Sequence, residues 1–220
     1  MSGFGDFESQ RTMMVNRIHA RHAMLVDEYR HVVADSSVLH LGAEDGRWCY
    51  TFASAGALQV VGVEASAELV RRFERYPDVG LRERIELRCA GYLEEVEAEV
   101  AANRRYDVVA LFDVLEEVAD PARLIAAVAR LKPRLVIIDG EFVITEEPVI
   151  RRVSTANYSG LRNLPSPSAL EAMGDAARME VDWLDWTRIP EDGRIGLSDY
   201  YRTEGRKRAS AIMMPLALNS

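Results

Sequence analysis

The stretch VLHLGAEDGRW, Val38 to Trp48, sets two glycines, Gly42 and Gly46, around Ala43 and a pair of acids, Glu44 and Asp45. A glycine closing an apolar run lets the backbone approach a ligand closely. The helix that follows offers unpaired N–H groups and a partial positive charge. The same residues also suit a plain strand-to-helix turn. Glu64 favours the first reading. It closes a second apolar run, QVVGVE, about 20 residues after Gly42, where an acid can accept hydrogen bonds from ribose hydroxyls. At a strand end, Glu64 is expected to be a surface carboxylate that contributes little to the core.

Loop and acid together read as a site for an adenosine-containing cofactor. The Gly-x-Gly-x-x-Gly pattern of dinucleotide binding is missing, and Glu44 with Asp45 would repel a pyrophosphate. A nicotinamide-dependent oxidoreductase is therefore disfavoured. No Gly-x-x-x-x-Gly-Lys-Ser/Thr loop occurs, so a nucleoside triphosphatase is a weak reading. A cofactor with an ammonium group and no phosphate fits the acids better, and S-adenosyl-L-methionine is such a molecule.

Other residues could take part in chemistry. Glu116, Glu117, Asp139 and Glu141 stand near strand ends, where a carboxylate can take a proton from an acceptor hydroxyl; the bland alternative is solvated loop acids. His19 and His22 lie three apart but lack further metal ligands, so no metal site is expected. Arg17 and Arg21 beside them can reach a carboxylate, that of methionine or of an acidic substrate, or can be a solvated helix face. Met13 and Met14 read as packing residues. Trp183 and Trp186 are expected in or beside a sixth strand. Tyr158, Tyr200, Tyr201 and Arg206 are candidates for a substrate mouth.

These residues hang on an alternating framework. A helical region of about residues 7–33, with Met14, Ile18, Leu25, Tyr29 and Val32 at helical spacing, forms an N-terminal cap over 1–36. Residues 37–220 follow as one domain. Strands are expected at SVLHLG, LQVVGVEA, RIELRCA, YDVVALF and RLVIID, the fourth almost wholly apolar, as a strand covered on both faces should be. Helices are expected from Asp45 to Gly56, over SAELVRRFERY, and from Asp120-Pro121 to Leu131 before Pro133. Alternation of this kind gives a parallel sheet with right-handed crossovers. Beyond Asp139 the rhythm breaks into insertions at about 141–165 and 187–208. They are expected to flank the cofactor pocket on the substrate side. Between them a helix restarts at SPSALEAM, capped by Ser166 before Pro167 or by Ser168 with Glu171. MEVDWLDW and ASAIMMPL are further strands.

The bulk numbers agree with one sizeable core: 220 residues, 48% hydrophobic. A formal net charge of −8 disfavours a nucleic-acid partner. No apolar run approaches the roughly 20 residues of a membrane span, and the N-terminus shows no signal-peptide pattern. Cys49 and Cys89 read as reduced packing residues, which points to the cytoplasm and leaves the sequon-like Asn157-Tyr158-Ser159 as noise.

The chain resembles the class I S-adenosylmethionine-dependent methyltransferases over roughly residues 37–140. VLHLGAEDGRW is similar to their first motif, commonly V-L-D-L-G-x-G-x-G. VVGVEAS is similar to the second. LFDVLEEVADPARLIAAVARLKP is similar to the fourth-strand region, D-V-L-E-H-V-x-D-P then a helix and K-P. The resemblance implies a doubly wound, Rossmann-like α/β fold with a seven-stranded sheet, its last strand antiparallel. It implies cofactor contacts at Gly42, Ala43, Glu44, Gly46, Glu64 and Ala65, at Ala90, Gly91 and Tyr92, and at Phe112 and Asp113. It implies methyl transfer to a small-molecule acceptor by in-line displacement. His40 in place of an acid, Glu44 in place of the middle glycine, Ala90-Gly91 in place of an adenine-binding acid and Glu117 in place of a histidine depart from the pattern. A cofactor-binding domain without catalysis is the rival these departures support.

Overall fold

A computed structural model describes the backbone of residues 3–73, 79–154 and 161–217, with side chains from Gln10 onward. Tyr158 and the sequon-like triplet lie outside the described residues. The N-terminal segment is α1 (Gly3–His22), a π-helical turn (Ala23–Asp27) and the short α2 (Arg30–Val33). There follow β1 (Ser37–Leu41), α3 (Arg47–Ser54), β2 (Gln59–Glu64), α4 (Ala67–Arg72), α5 (Val79–Arg82), β3 (Ile85–Cys89) and α6 (Tyr92–Ala101). Next come β4 (Val108–Phe112), α7 (Pro121–Arg130), β5 (Leu135–Val143) and a hairpin of β6 (Ile150–Ser154) and β7 (Leu161–Pro165). The chain closes with α8 (Pro167–Ala176), β8 (Met179–Trp183), three short 3-10 turns between Trp186 and Tyr201, and β9 (Arg206–Pro215).

The main sheet has seven strands in the order β3-β2-β1-β4-β5-β9-β8, and β9 runs antiparallel to both its neighbours. The fold is thus the doubly wound, Rossmann-like sheet expected, with the last strand inserted between β5 and β8. Strand alternation divides the core in two. Val109 and Leu111 of β4 join Leu39, Leu41 and Ile138 beneath α6, α7 and α8. Val108, Ala110 and Phe112 face the other way, onto α3, the π-helical turn and the turns after Trp186. Met24, Leu25, Val26 and Val33 are buried in this second layer, so the N-terminal segment packs into the core.

Local signals fix several helix starts. Asp120 accepts the Arg123 N–H at 3.0 Å with Pro121 in the first turn. Ser66 accepts the Leu69 N–H at 3.4 Å. Of the two caps considered for α8, Ser166 is the one used, accepting from Ala169 at 3.1 Å. Three features escape the sequence pattern. Helix α6 is not signalled because its buried face includes a charge: Glu99 binds the Tyr106 hydroxyl at 2.6 Å and Arg88 at 2.8 Å. Strand β5 runs past Asp139 to Val143 because β9 continues to pair with it, Val143 opposite Arg206. Much of segment 141–165 is the β6–β7 hairpin, whose β6 is almost entirely exposed and has no apolar period. Among the described residues no helix is long and apolar enough to cross a membrane.

Gly62 of β2 shows how tightly the sheet and α3 are matched. A Cβ there would stand 2.4 Å from Leu87 Cδ2, 2.6 Å from Cys49 Sγ and 3.0 Å from Ala43 Cβ. Gly62→Ala should destabilise the fold by about 1–3 kcal/mol through overpacking, seen as a lower urea midpoint at unchanged slope. An unchanged midpoint would show that the α3 interface yields freely.

Candidate functional site

The loop after β1 is shaped by close approach. Gly42 has φ +77°, and a Cβ on it would lie 2.2 Å from the Phe112 carbonyl oxygen, so the ends of β1 and β4 meet only over glycine. Gly46, φ +85°, sits against the Phe73 ring. Glu44, in place of the middle glycine, still takes the left-handed conformation, φ +49°. Its N–H donates to Glu64 Oε2 at 3.0 Å, and the Ser66 N–H donates to Oε1 at 2.8 Å. Glu64 is only 6% exposed. The expectation of a surface carboxylate is therefore corrected: Glu64 ties the loop after β1 to the loop after β2.

A cavity of about 430 Å³ opens above these strand ends. Its floor is Gly42, Glu44, Glu64, Phe112 and Asp113, with Tyr92 at the side. Helix α1 roofs it with Met14, Arg17, Ile18, Arg21 and His22, and Arg208 of β9 closes one flank. Ala43 and Gly46 shape the loop from outside the lining, and Ala65, Ala90 and Gly91 also lie off it. Of the candidate bases only Glu117 reaches the lining; Glu116, Asp139 and Glu141 do not.

Asp139 is fully buried and holds the roof in place. Oδ1 accepts from Arg21 at 2.9 Å and from Arg208 at 2.5 Å, and Oδ2 accepts from Tyr200 at 2.6 Å and from Ser210 at 2.8 Å. Burial alone would raise its pKa. The charges of Arg21 and Arg208 and the Tyr200 hydrogen bond outweigh that, and the carboxyl is lowered to about 2. Asp139 is thus a structural anion and no base. Arg208 also donates to Asp113, and Arg17 forms a two-pronged pair with Asp199 at 2.7 and 2.8 Å. The solvated-face alternative for Arg17 and Arg21 is corrected by these contacts. Arg21 also lies over the Trp48 ring at 5.0 Å, and its Nε is buried without a hydrogen-bond partner. His22 faces Thr51 at 3.2 Å and stands edge-on to Trp48.

The sequence left Arg208, Asp199, Ser210 and Arg162 unassigned. Arg208 belongs to an outwardly ordinary basic run, RKR, and only its pairing opposite Glu141 in the sheet marks it. Of segment 187–208, Asp199, Tyr200 and Arg208 brace the roof, while Tyr201 donates to the Trp186 carbonyl instead. Trp183 lies in β8, and Trp186, just beyond it, stacks on Tyr200 with ring centres 3.8 Å apart. Segment 141–165 contributes Arg162, itself nearly buried, with Glu116 at 3.3 Å, Glu141 at 3.5 Å and Glu117 at 3.6 Å. Arg206 pairs with Glu141 at 3.2 Å, away from the cavity lining. Burial first, then the charge of Asp113, pushes Glu116 up to about 8 against the pull of Arg162.

His40, which departs from the resembling motif, is fully buried in β1 between the rings of Phe52 and Phe112. Its neighbours across the sheet, Gly62 and Ala110, leave room for the imidazole. Burial, reinforced by Arg21, lowers its pKa to about 3. Below pH 6.5 the unfolded chain takes up a proton that the native ring refuses, so His40 costs stability as pH falls from about 6.5 toward 3. Glu116 acts oppositely, losing stability as pH rises from 4.5 through about 8. His40→Leu should isolate the first effect. Measured by urea unfolding, the stability of the variant relative to wild type should improve progressively below pH 6.5, and a pH-independent difference would place a charged or solvated imidazole at position 40.

The comparisons agree with this architecture. The N-terminal domain of EvdMO1, solved with S-adenosylhomocysteine and D-fucose, is similar at TM-score 0.68 and 18% identity, over 91% of this chain and 82% of that one. An S-adenosylmethionine-dependent methyltransferase from Mesorhizobium loti matches at TM-score 0.59 and 14% identity, over 82% and 92% of the two chains. The [4+2]-cyclase SpnF matches at TM-score 0.55 and 18% identity, over 87% and 82%. At these identities the likeness is one of fold. No curated protein matches the sequence. A family model described as a methyltransferase domain matches residues 17–177, most of the sheet together with the end of the roof helix and the glycine loop, and by that match the chain belongs to the methyltransferase-domain family.

Proposed function

We propose that the protein binds S-adenosyl-L-methionine and transfers its methyl group to a small-molecule acceptor by in-line displacement. The observation that carries the reading is the Gly42 turn braced on buried Glu64, both lining one cavity that Arg21 helps to roof. The residues fit the cofactor. Gly42 lets the ends of β1 and β4 come together, which places the loop and Phe112 side by side on the cavity lining. Each oxygen of Glu64 accepts one backbone N–H, which leaves a lone pair on each for a ribose hydroxyl. The Arg21 guanidinium on the lining suits the methionine carboxylate by its charge, and the carboxylates of Glu44 and Glu117 suit positive charge. The S-adenosylhomocysteine named for the EvdMO1 domain supports the same cofactor here.

When bound, the cofactor supplies a methyl group on a sulfonium, already activated for displacement. The chain's task is alignment and exclusion of water. Helix α1, latched by Arg17 and Arg21, covers the cavity. Orientation of this kind can supply about 7–11 kcal/mol of the barrier. Free Cys49 and Cys89 suit a reducing, cytoplasmic setting. A second reading, a cofactor-binding protein without methyl transfer, is supported by Glu44 at the middle glycine and by the fold shared with a cyclase. Production of S-adenosylhomocysteine during turnover distinguishes the two.

S-Adenosylhomocysteine at 100-fold its Kd should stabilise the fold by about 2.7 kcal/mol, whereas NAD should leave the melting curve unmoved. A larger thermal shift with NAD would overturn the cofactor assignment. Glu64→Ala should weaken S-adenosylhomocysteine roughly 10- to 100-fold in calorimetric titration, since bonds to a charged acceptor contribute about 1.5–3 kcal/mol. Because Glu64 also holds the Glu44 and Ser66 N–H groups, the variant should melt earlier as well. Unchanged affinity in a folded variant would reduce the loop to a structural turn.

A further inference from the structure

The four arginines of the cavity wall each have an aspartate: Arg17 has Asp199, Arg21 has Asp139, Arg47 has Asp45 and Arg208 has Asp113. This pairing leaves Glu44, Glu64 and Glu117 as the remaining charges on the lining. Glu44 lies 3.7 Å from an Arg47 already held at 2.9 Å by Asp45. Glu117 meets Arg162 only at 3.6 Å and shares it with Glu141, which Arg206 also holds at 3.2 Å. The wall is therefore negative in excess, and S-adenosylmethionine, with a sulfonium, an ammonium and a carboxylate, brings one net positive charge. The occupied cavity stays hostile to an anionic acceptor and favourable to a cation.

The roof is different in kind. Met14 is 63% exposed and Ile18 37%, yet both line the cavity from α1. Apolar side chains left open at the edge of a polar cavity mark where a ligand's hydrocarbon surface is covered. We propose that the methyl acceptor is an apolar amine, its hydrocarbon body against Met14 and Ile18 and its nitrogen beside Glu117. This rests on the cofactor reading above. The amine, drawn in as an ammonium, first gives a proton to water. Its nitrogen lone pair then forms the bond to the methyl carbon, the carbon–sulfur bond breaks, and the electron pair of that bond goes to sulfur. Positive charge thereby passes from sulfur to nitrogen, beside a carboxylate that stabilises it. Burial raises the Glu117 carboxyl above its ordinary value, Arg162 opposing and the charges of Asp113, Glu64 and Glu44 adding to the rise, as befits an acid within a semi-enclosed, acid-rich site.

The test uses calorimetric titration of the full chain saturated with S-adenosylhomocysteine, with octylamine, octanoate and butylamine as probes. Octylamine should bind at least about tenfold more tightly than either of the others. Glu117→Gln should shrink the amine-over-carboxylate preference about fivefold or more. Met14→Ser with Ile18→Ser should weaken octylamine and spare butylamine. With S-adenosylmethionine, mass spectrometry should find N-methyloctylamine. Tighter binding of octanoate, or affinity indifferent to chain length, would overturn the proposal while leaving the cofactor reading intact. Failure of S-adenosylhomocysteine itself to bind would instead overturn the cofactor reading.

Discussion

The arrangement depends on one buried carboxylate. Asp139 sits in the middle of β5 with no contact to water, and four donors from three parts of the chain converge on it. Arg21 comes from the roof, Tyr200 from the turns before β9, and Arg208 and Ser210 from β9 itself. Moving a carboxylate out of water costs several kcal/mol, and only a full set of charged and neutral donors offsets it. Removing either arginine would leave Asp139 undercompensated, so its geometry constrains the positions of all three segments together. Through Arg208 the same network holds Asp113, and its backbone is fixed too, since the Asp113 N–H donates to the Asp139 carbonyl at 2.8 Å.

The glycine loop has a second, independent brace. Gly42 and Ala43 both donate to the Val63 carbonyl, at 3.1 and 3.0 Å, and Glu64 takes the N–H of Glu44. These bonds hold a non-glycine residue in left-handed backbone at the middle of the loop, a conformation that costs of order 1 kcal/mol or more when the surroundings do not impose it. Glu64 is thus both a brace and the best-placed acceptor for a ligand. Such a residue cannot be altered for function without also altering the fold.

The cavity joins two walls of opposite chemistry. The strand ends bring carboxylates; α1 and β9 bring arginines whose charge is already matched by Asp139 and Asp199 behind them and by Asp113 on the floor. The β6–β7 hairpin adds Arg162, which gathers Glu116, Glu117 and Glu141. Alternating strands and helices give the common sheet, and the segments that break that alternation supply what is particular to this cavity.

Much of this was legible in the residues. The apolar runs, the caps at Asp120 and Ser166, Gly42 and the acid at Glu64 follow from local chemistry: burial on two faces, orphan N–H groups at helix starts, and backbone that only glycine tolerates. Those constraints act within a few residues, so the sequence alone determined the alternation through the fifth strand, the parallel sheet and the place of the loop. Helix α6 stayed hidden because Glu99 is buried by partners, Tyr106 and Arg88, that are distant from it in space until the sheet forms. Asp139, Glu116 and Glu117 looked alike as acids near strand ends. Only the tertiary structure made the first an ion-paired anchor lowered to about 2, the second a buried group raised to about 8, and the third a side chain facing the cavity. Desolvation and the placement of arginines drawn from far along the chain set those differences, and neither is a property of the residue or its neighbours in sequence.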